Sequence, residues 1–121
     1  MQTTRQQKIA RLIQKDLSDI FLRYARTLTN TLISVSEVRV SPDLAIAHVF
    51  LSIFVGGNDA TQRADAARKV LDHINDEKSK FRFEMGNLER HQLRIIPELN
   101  FHLDETIDKM ERIDTLLSQG N

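Results

Sequence analysis

A chain of 121 residues with 40% hydrophobic content can bury one small core, and its 17 Lys+Arg balance its 17 Asp+Glu, so bulk charge does not announce a nucleic-acid binder. The absence of cysteine excludes a disulfide framework and any thiolate metal site. Residues 1–8 lack the apolar core of a secretory signal and the longest apolar run, residues 45–55, is too short to span a bilayer, so the expectation is one cytoplasmic domain over residues 1–121 with no membrane partner.

The first predicted element is a helix over about residues 4–26. Thr4 and Gln7 have the spacing of a capping box, in which each side chain satisfies a backbone donor near the other. At about 100° per residue, Ile9, Ile13, Leu17, Ile20, Phe21 and Tyr24 share one side. Lys8, Arg11, Lys15 and Arg26 fall opposite, with Arg5 and Arg23 on the flank. Two readings fit that face. It is the ordinary solvated side of an amphipathic helix, or it tracks phosphates, since only Asp16 and Asp19 interrupt six bases over residues 1–30.

A strand is expected over residues 32–41, where Ile33 and Val35 hold one phase and Val38 and Val40 the other. One extra residue near Ser36-Glu37, a β-bulge, repairs the alternation. Ser41-Pro42-Asp43 then reads as a turn, with φ fixed by Pro and an Asp able to bond its own backbone. The second strand, residues 44–55, puts Ala45, Ala47, Val49, Leu51 and Ile53 on one face, and the alanines let a helix approach closely. Its other face carries Ile46, His48, Phe50, Ser52 and Phe54. That face suits an RNA stacking platform or a partner patch, or is simply half buried.

After the loop Gly56-Gly-Asn-Asp59, whose Asn58 or Asp59 can cap a helix, residues 60–76 read as helical with Ala64, Ala67, Val70, Leu71 and Ile74 inward. A second helical stretch covers about residues 80–91, with Phe81, Met85 and Leu88 spaced i, i+4, i+7. The polar Asn75-Asp-Glu-Lys-Ser79 between them marks a kink in one helix or the meeting of two. Residues 92–103 alternate through Leu93, Ile95, Leu99, Phe101 and Leu103, a strand whose Pro97 belongs at an edge or a bulge. Asp104 can cap a last helix with Ile107, Met110, Ile113 and Leu117 as its apolar stripe.

The order helix, strand, strand, helix, helix, strand, helix is the αββααβ layout of the type II KH domain. It implies an α+β fold with a three-stranded mixed sheet, antiparallel first and second strands, helices on one face and a short C-terminal helix. Val38-Arg-Val-Ser-Pro-Asp-Leu-Ala-Ile-Ala-His-Val-Phe-Leu-Ser52 resembles the V-x-V-S-x-D-L-x-x-A-x-V-x-V hairpin of the bacterial ribosome-binding factor A family. Leu93-Arg-Ile-Ile-Pro-Glu-Leu-Asn-Phe-His-Leu-Asp104 is similar to that family's LRxxPxLxFxxD strand, and the basic first helix matches as well.

The resemblance implies a non-enzymatic assembly factor of the small (30S) ribosomal subunit. Such a factor binds the immature particle and its 16S rRNA, assists 5′-end processing, leaves before translation and matters most in the cold. The expectation is a monomer with no cofactor and no metal. The family's Ala-x-Gly kink falls here near Glu77-Lys-Ser79, without the glycine, so side chains rather than a backbone clamp would contact phosphate there.

The candidate RNA-binding residues are therefore Arg5, Lys8, Arg11 and Lys15 on the first helix, with Lys78, Lys80, Arg82 and Arg90 at and after the kink. The alternative is a protein-interaction module using the Phe50/Phe54 face or the last helix; residues 97–121 hold six acids against two bases. An enzyme is not expected. The histidines are scattered, His102-x-Asp104 is a weak acid/base signal, and Gly56-Gly57 has no Gly-Lys-Ser/Thr after it.

Overall fold

The computed structural model describes residues 3–104, and the predicted last helix lies outside them. Its elements are α1 (Thr4–Ala25), β1 (Thr31–Val40), β2 (Ile46–Val55), α2 (Ala60–Asp76), α3 (Lys78–Glu89) and β3 (Glu98–Leu103). The strands lie in the order β1-β2-β3, with β1 antiparallel and β3 parallel to β2. All three helices cover one face: α1 lies over β1, α2 over β2 and β3, and α3 fits between α1 and β3. This is the mixed α+β sandwich expected from the element order.

The N-terminus of α1 is capped one residue earlier than the spacing of Thr4 and Gln7 suggested. Thr3 Oγ1 accepts from the Gln6 backbone N–H at 3.2 Å, and Gln6 Oε1 accepts from the Thr3 N–H at 2.8 Å. Both pairs satisfy the capping-box spacing, so tertiary contact decides between them. Gln6 is buried and its Nε2 donates to the Val40 carbonyl at 2.8 Å, tying the helix to the end of β1. Gln6→Ala removes both the cap reciprocity and this bond. It is expected to lower stability by about 1–3 kcal/mol, read as a reduced urea midpoint with an unchanged m-value.

The bulge inferred from the reversed phase of β1 is present. Val35 pairs with Leu51 and Glu37 with Phe50, leaving Ser36 extra. Its hydroxyl donates to the Phe50 carbonyl at 3.0 Å, and Gln14 Nε2 of α1 donates to the Val35 carbonyl at 3.1 Å. The disturbed ladder is thereby satisfied from both sides, and Ile33, Val35, Val38 and Val40 all turn inward.

Residues 41–45 form a turn rather than part of β2. Asp43 Oδ1 accepts from the Ala45 N–H at 3.1 Å and from the Ser41 hydroxyl at 2.6 Å, while Leu44 takes φ +62°. Ala45 is therefore exposed instead of facing the core. Ala47, fully buried, keeps the role assigned to both alanines.

Four aromatic rings fill the space between α1, α3 and β3. Phe21 meets Phe81 at 4.8 Å and Phe101 edge-on at 5.5 Å, and Tyr24 stands edge-on to Phe81 at 5.2 Å. Around them the inward residues of α2 are Ala67, Leu71 and Ile74, with Val70 half-buried, whereas Ala64 is exposed. On α3 the buried residues are Phe81, Met85 and Glu89; Leu88, expected inside, is 49% exposed.

The third strand is half the predicted length. Alternation runs from Leu93, but β2 starts opposite Glu98, and Pro97 has no N–H to give a ladder. With no neighbour to pair with, residues 92–97 stay irregular and Ile95 stands 68% exposed.

Candidate nucleic-acid interface

The α2–α3 junction turns on a single residue. Glu77, at φ −104° and ψ 19°, is at once the C-cap of α2 and the N-cap of α3, so two helices meet where one kinked helix was the other option. No glycine is needed at this conformation, which any residue adopts. The polar stretch before it has a second role at the sheet edge. The Asn75 amide donates to the Phe101 carbonyl at 3.1 Å and accepts from the Phe101 N–H at 3.2 Å, covering β3's outer edge as a neighbouring strand would.

Lys78, Ser79 and Arg82 line a cleft of about 300 Å³ against Glu98 and Leu99 of β3. Its cations are engaged. Lys78 Nζ lies 3.9 Å from Glu98, and Lys80 Nζ lies 3.9 Å from Glu77, which also meets His73 at 3.1 Å. These are exposed pairs, weak enough to exchange for a phosphate. Arg82 is differently placed: Nε donates to the Pro97 carbonyl at 3.1 Å and Nη2 to the Ile96 carbonyl at 2.7 Å. Its rigid fork pins the chain entering β3, so its first role is structural.

The α1 cations have a different setting. Arg5, Lys8, Arg11 and Lys15 are all exposed, and none makes an ion pair among the described residues. The fold brings two groups of bases together that are distant in sequence. Arg23, near the end of α1, shares a cleft with Lys80 of α3, and Arg5 and Lys8 share a larger one with Arg94. Arg90, exposed at the C-cap of α3, lines neither of these clefts nor the one at Lys78. Nothing local in the sequence singles out Arg23 or Arg94 as partners of these residues. Only the antiparallel packing of α3 on α1 makes them neighbours of the chosen residues.

The sheet face away from the helices carries no described element. Across it, Arg39 lies over the Phe50 ring at 5.8 Å, Phe50 stacks on His102 at 5.1 Å, and His48 Nδ1 meets His102 Nε2 at 3.0 Å. Burial first, and then the facing His48, lower the pKa of His102 and so disfavour its imidazolium. Leu32 and Phe54, paired across β1 and β2, are 68% and 57% exposed. Among the described residues no three His, Asp or Glu side chains gather as metal ligands, and no helix is long and apolar enough to cross a membrane.

Comparisons with known proteins agree with this architecture. A sequence model of the family described as ribosome-binding factor A matches residues 5–117. Ribosome-binding factor A of Cytophaga hutchinsonii is 39% identical over 98% of this chain and 84% of its own length, and that of Christiangramia forsetii is 40% identical over 93% and 82%. Two structures share the fold at 16% identity. The crystal structure of ribosome-binding factor A from Thermus thermophilus has a TM-score of 0.56 over 81% of this chain and 94% of its own. A homology model of the Thermus thermophilus factor, fitted into a cryo-EM map of its 30S complex, has a TM-score of 0.52 over 78% and 93%. From the basic first helix through the bulged hairpin to the proline-led third strand, the chain belongs to the ribosome-binding factor A family.

Proposed function

We propose that this chain is a non-enzymatic assembly factor that docks on the small ribosomal subunit through 16S rRNA and assists maturation of the particle, including 5′-end processing. It acts in the cytoplasm as a single-domain monomer. The observation that carries the reading is the α1 face, where Arg5, Lys8, Arg11 and Lys15 stand exposed with no acid paired to them among the described residues. Unpaired cations along one helix displace condensed counterions from a phosphate backbone, whereas paired ones must first break their own contacts. The relative fitted into a 30S complex supplies the partner by kinship. Lys78 and Lys80 extend the contact at the α2–α3 junction, and Arg23, near the end of α1, shares a cleft with Lys80.

Sedimentation tests this directly. The tagged protein is expected to run with free small subunits and not with polysomes. Its association should weaken steeply between roughly 50 and 200 mM salt. Co-migration that ignores salt would overturn phosphate docking.

A second reading has its own observation, the exposed Leu32/Phe54 pair on the open sheet face, which suits a protein partner. A pull-down after exhaustive nuclease treatment separates the two. An association held by RNA disappears, and one held by Leu32 and Phe54 persists and is lost on Phe54→Ser.

A further inference from the structure

At the head of α1 lies a cleft of about 560 Å³, built from three separate parts of the chain: α1, the β1–β2 turn and the α3–β3 connection. We propose that it receives one unstacked RNA nucleotide, its base between Leu44 and Ile95 and its phosphate among Arg5, Lys8 and Arg94. The proposal rests on the RNA-docking reading above and adds to it where, and in what form, RNA is held.

The volume falls in the range of small-molecule sites. The walls are apolar and the rim is cationic. Ile9 and Leu44 are half-buried against the core, while Ile95, from the α3–β3 connection, stands 68% exposed and adds a third aliphatic side chain to the lining. Arg5, Lys8 and Arg94 contribute three positive charges with no ion pair among the described residues. The one acid at the cleft, Asp43, engages its Oδ1 with the Ser41 hydroxyl at 2.6 Å and the Ala45 N–H at 3.1 Å.

Both walls are held in place before anything binds. Leu44 takes φ +62°, a left-handed conformation costly for a leucine and maintained by the Ser41–Asp43 network around it. The connection bearing Ile95 is pinned by the Arg82 guanidinium at the Ile96 and Pro97 carbonyls. Such pre-set walls lose little conformational freedom when a planar group enters.

The combination selects the ligand class. A free phosphate has no use for apolar walls, and an apolar peptide has none for three cations. A nucleotide offers a flat apolar body and an anion a few ångströms away, and single-stranded RNA presents bases in that splayed form. The cleft is separate from the groove at Lys78 and β3, with which it shares no lining side chain.

The test has two arms on the full chain. In the first, amide shifts are followed by NMR during titration with uridine and adenosine 5′-monophosphates, with ribose 5-phosphate and inorganic phosphate as probes lacking the base. The nucleotides are expected to shift residues 5–9, 44 and 93–95 at low millimolar concentration, and the baseless probes to do so several-fold more weakly. In the second, Ile95→Ser is titrated against purified small subunits. Its exposure lets the variant fold, and it should bind about tenfold more weakly with an unchanged salt slope, because no charge is lost.

Equal shifts from nucleotide and inorganic phosphate, or wild-type affinity for Ile95→Ser, overturn the cleft while leaving RNA docking in place if the wild type still binds subunits. A cleft that answers to a synthetic peptide of residues 105–121 and not to nucleotides overturns it as well. Failure of the wild type to bind subunits overturns both.

Discussion

Glu89→Gln is expected to make the protein more stable at pH 8–9 and to flatten its pH dependence. Glu89 ends α3 fully buried, and both of its carboxyl oxygens lack a donor, as does the buried Oδ2 of Asp16 on α1. Burial first, and then the facing Asp16, push the Glu89 carboxyl up to about 8. The folded protein therefore keeps a proton on Glu89 that the unfolded chain releases near the ordinary glutamate value.

The sign follows from linkage. A raised acid stabilises the fold below the unfolded-state value and loses that contribution as pH rises through the folded-state value, so stability declines between about pH 4.5 and 8. At about 1.4 kcal/mol per unit, the decline attributable to Glu89 is on the order of 3–5 kcal/mol. A glutamine amide at the same position donates to Asp16 without titrating. The variant should match the wild type near pH 4.5 and exceed it at pH 8–9 by about 2 kcal/mol or more, a Tm gain on the order of 10 °C. Parallel wild-type and variant curves from pH 4.5 to 9 would show that Glu89 is ionised and solvated in the fold.

Glu89 also shows where the sequence stops being informative. From Phe81, Met85 lies about 40° around the helix, Glu89 about 80° and Leu88 about −20°, so the arc centred on Met85 contains the acid and leaves the leucine at its border. Residue type argued for Leu88 and geometry for Glu89; the packing of α1 decides, and nothing local reports it. The β1 bulge was legible for the opposite reason. A phase reversal within one strand is a local signal, and Val35 and Val38 could both face the core only if a residue were inserted.

Residues 92–97 misled because alternation describes a strand's faces and says nothing of whether a partner exists. The site divides along the same line. The α1 cations lie on one helix and could be read by angle alone. Arg94 joins Arg5 and Lys8 only after the chain has closed. In the sequence Arg82 is one more cation of the α2–α3 region, yet its guanidinium serves two carbonyls fifteen and fourteen residues away.

Reversing Lys8, Arg11 and Lys15 to Glu is expected to have the largest effect on subunit binding, about 100-fold at moderate salt. If each side chain meets one phosphate, the slope of log affinity against log salt should fall by about 2–3, at 0.7–0.9 per contact. The fold itself should tolerate the change. All three are exposed with no ion pair to lose among the described residues, and Arg11 and Lys15 already repel at i, i+4 as two glutamates would. Lys78 and Lys80 supply the comparison, since each faces an acid at 3.9 Å and offers less net attraction. Reversing that pair should therefore cost less affinity and less slope than the α1 triple. Should the junction pair cost more, the docking surface centres on the α2–α3 turn, and Glu77 and Glu98 would be the anions that rRNA phosphates displace.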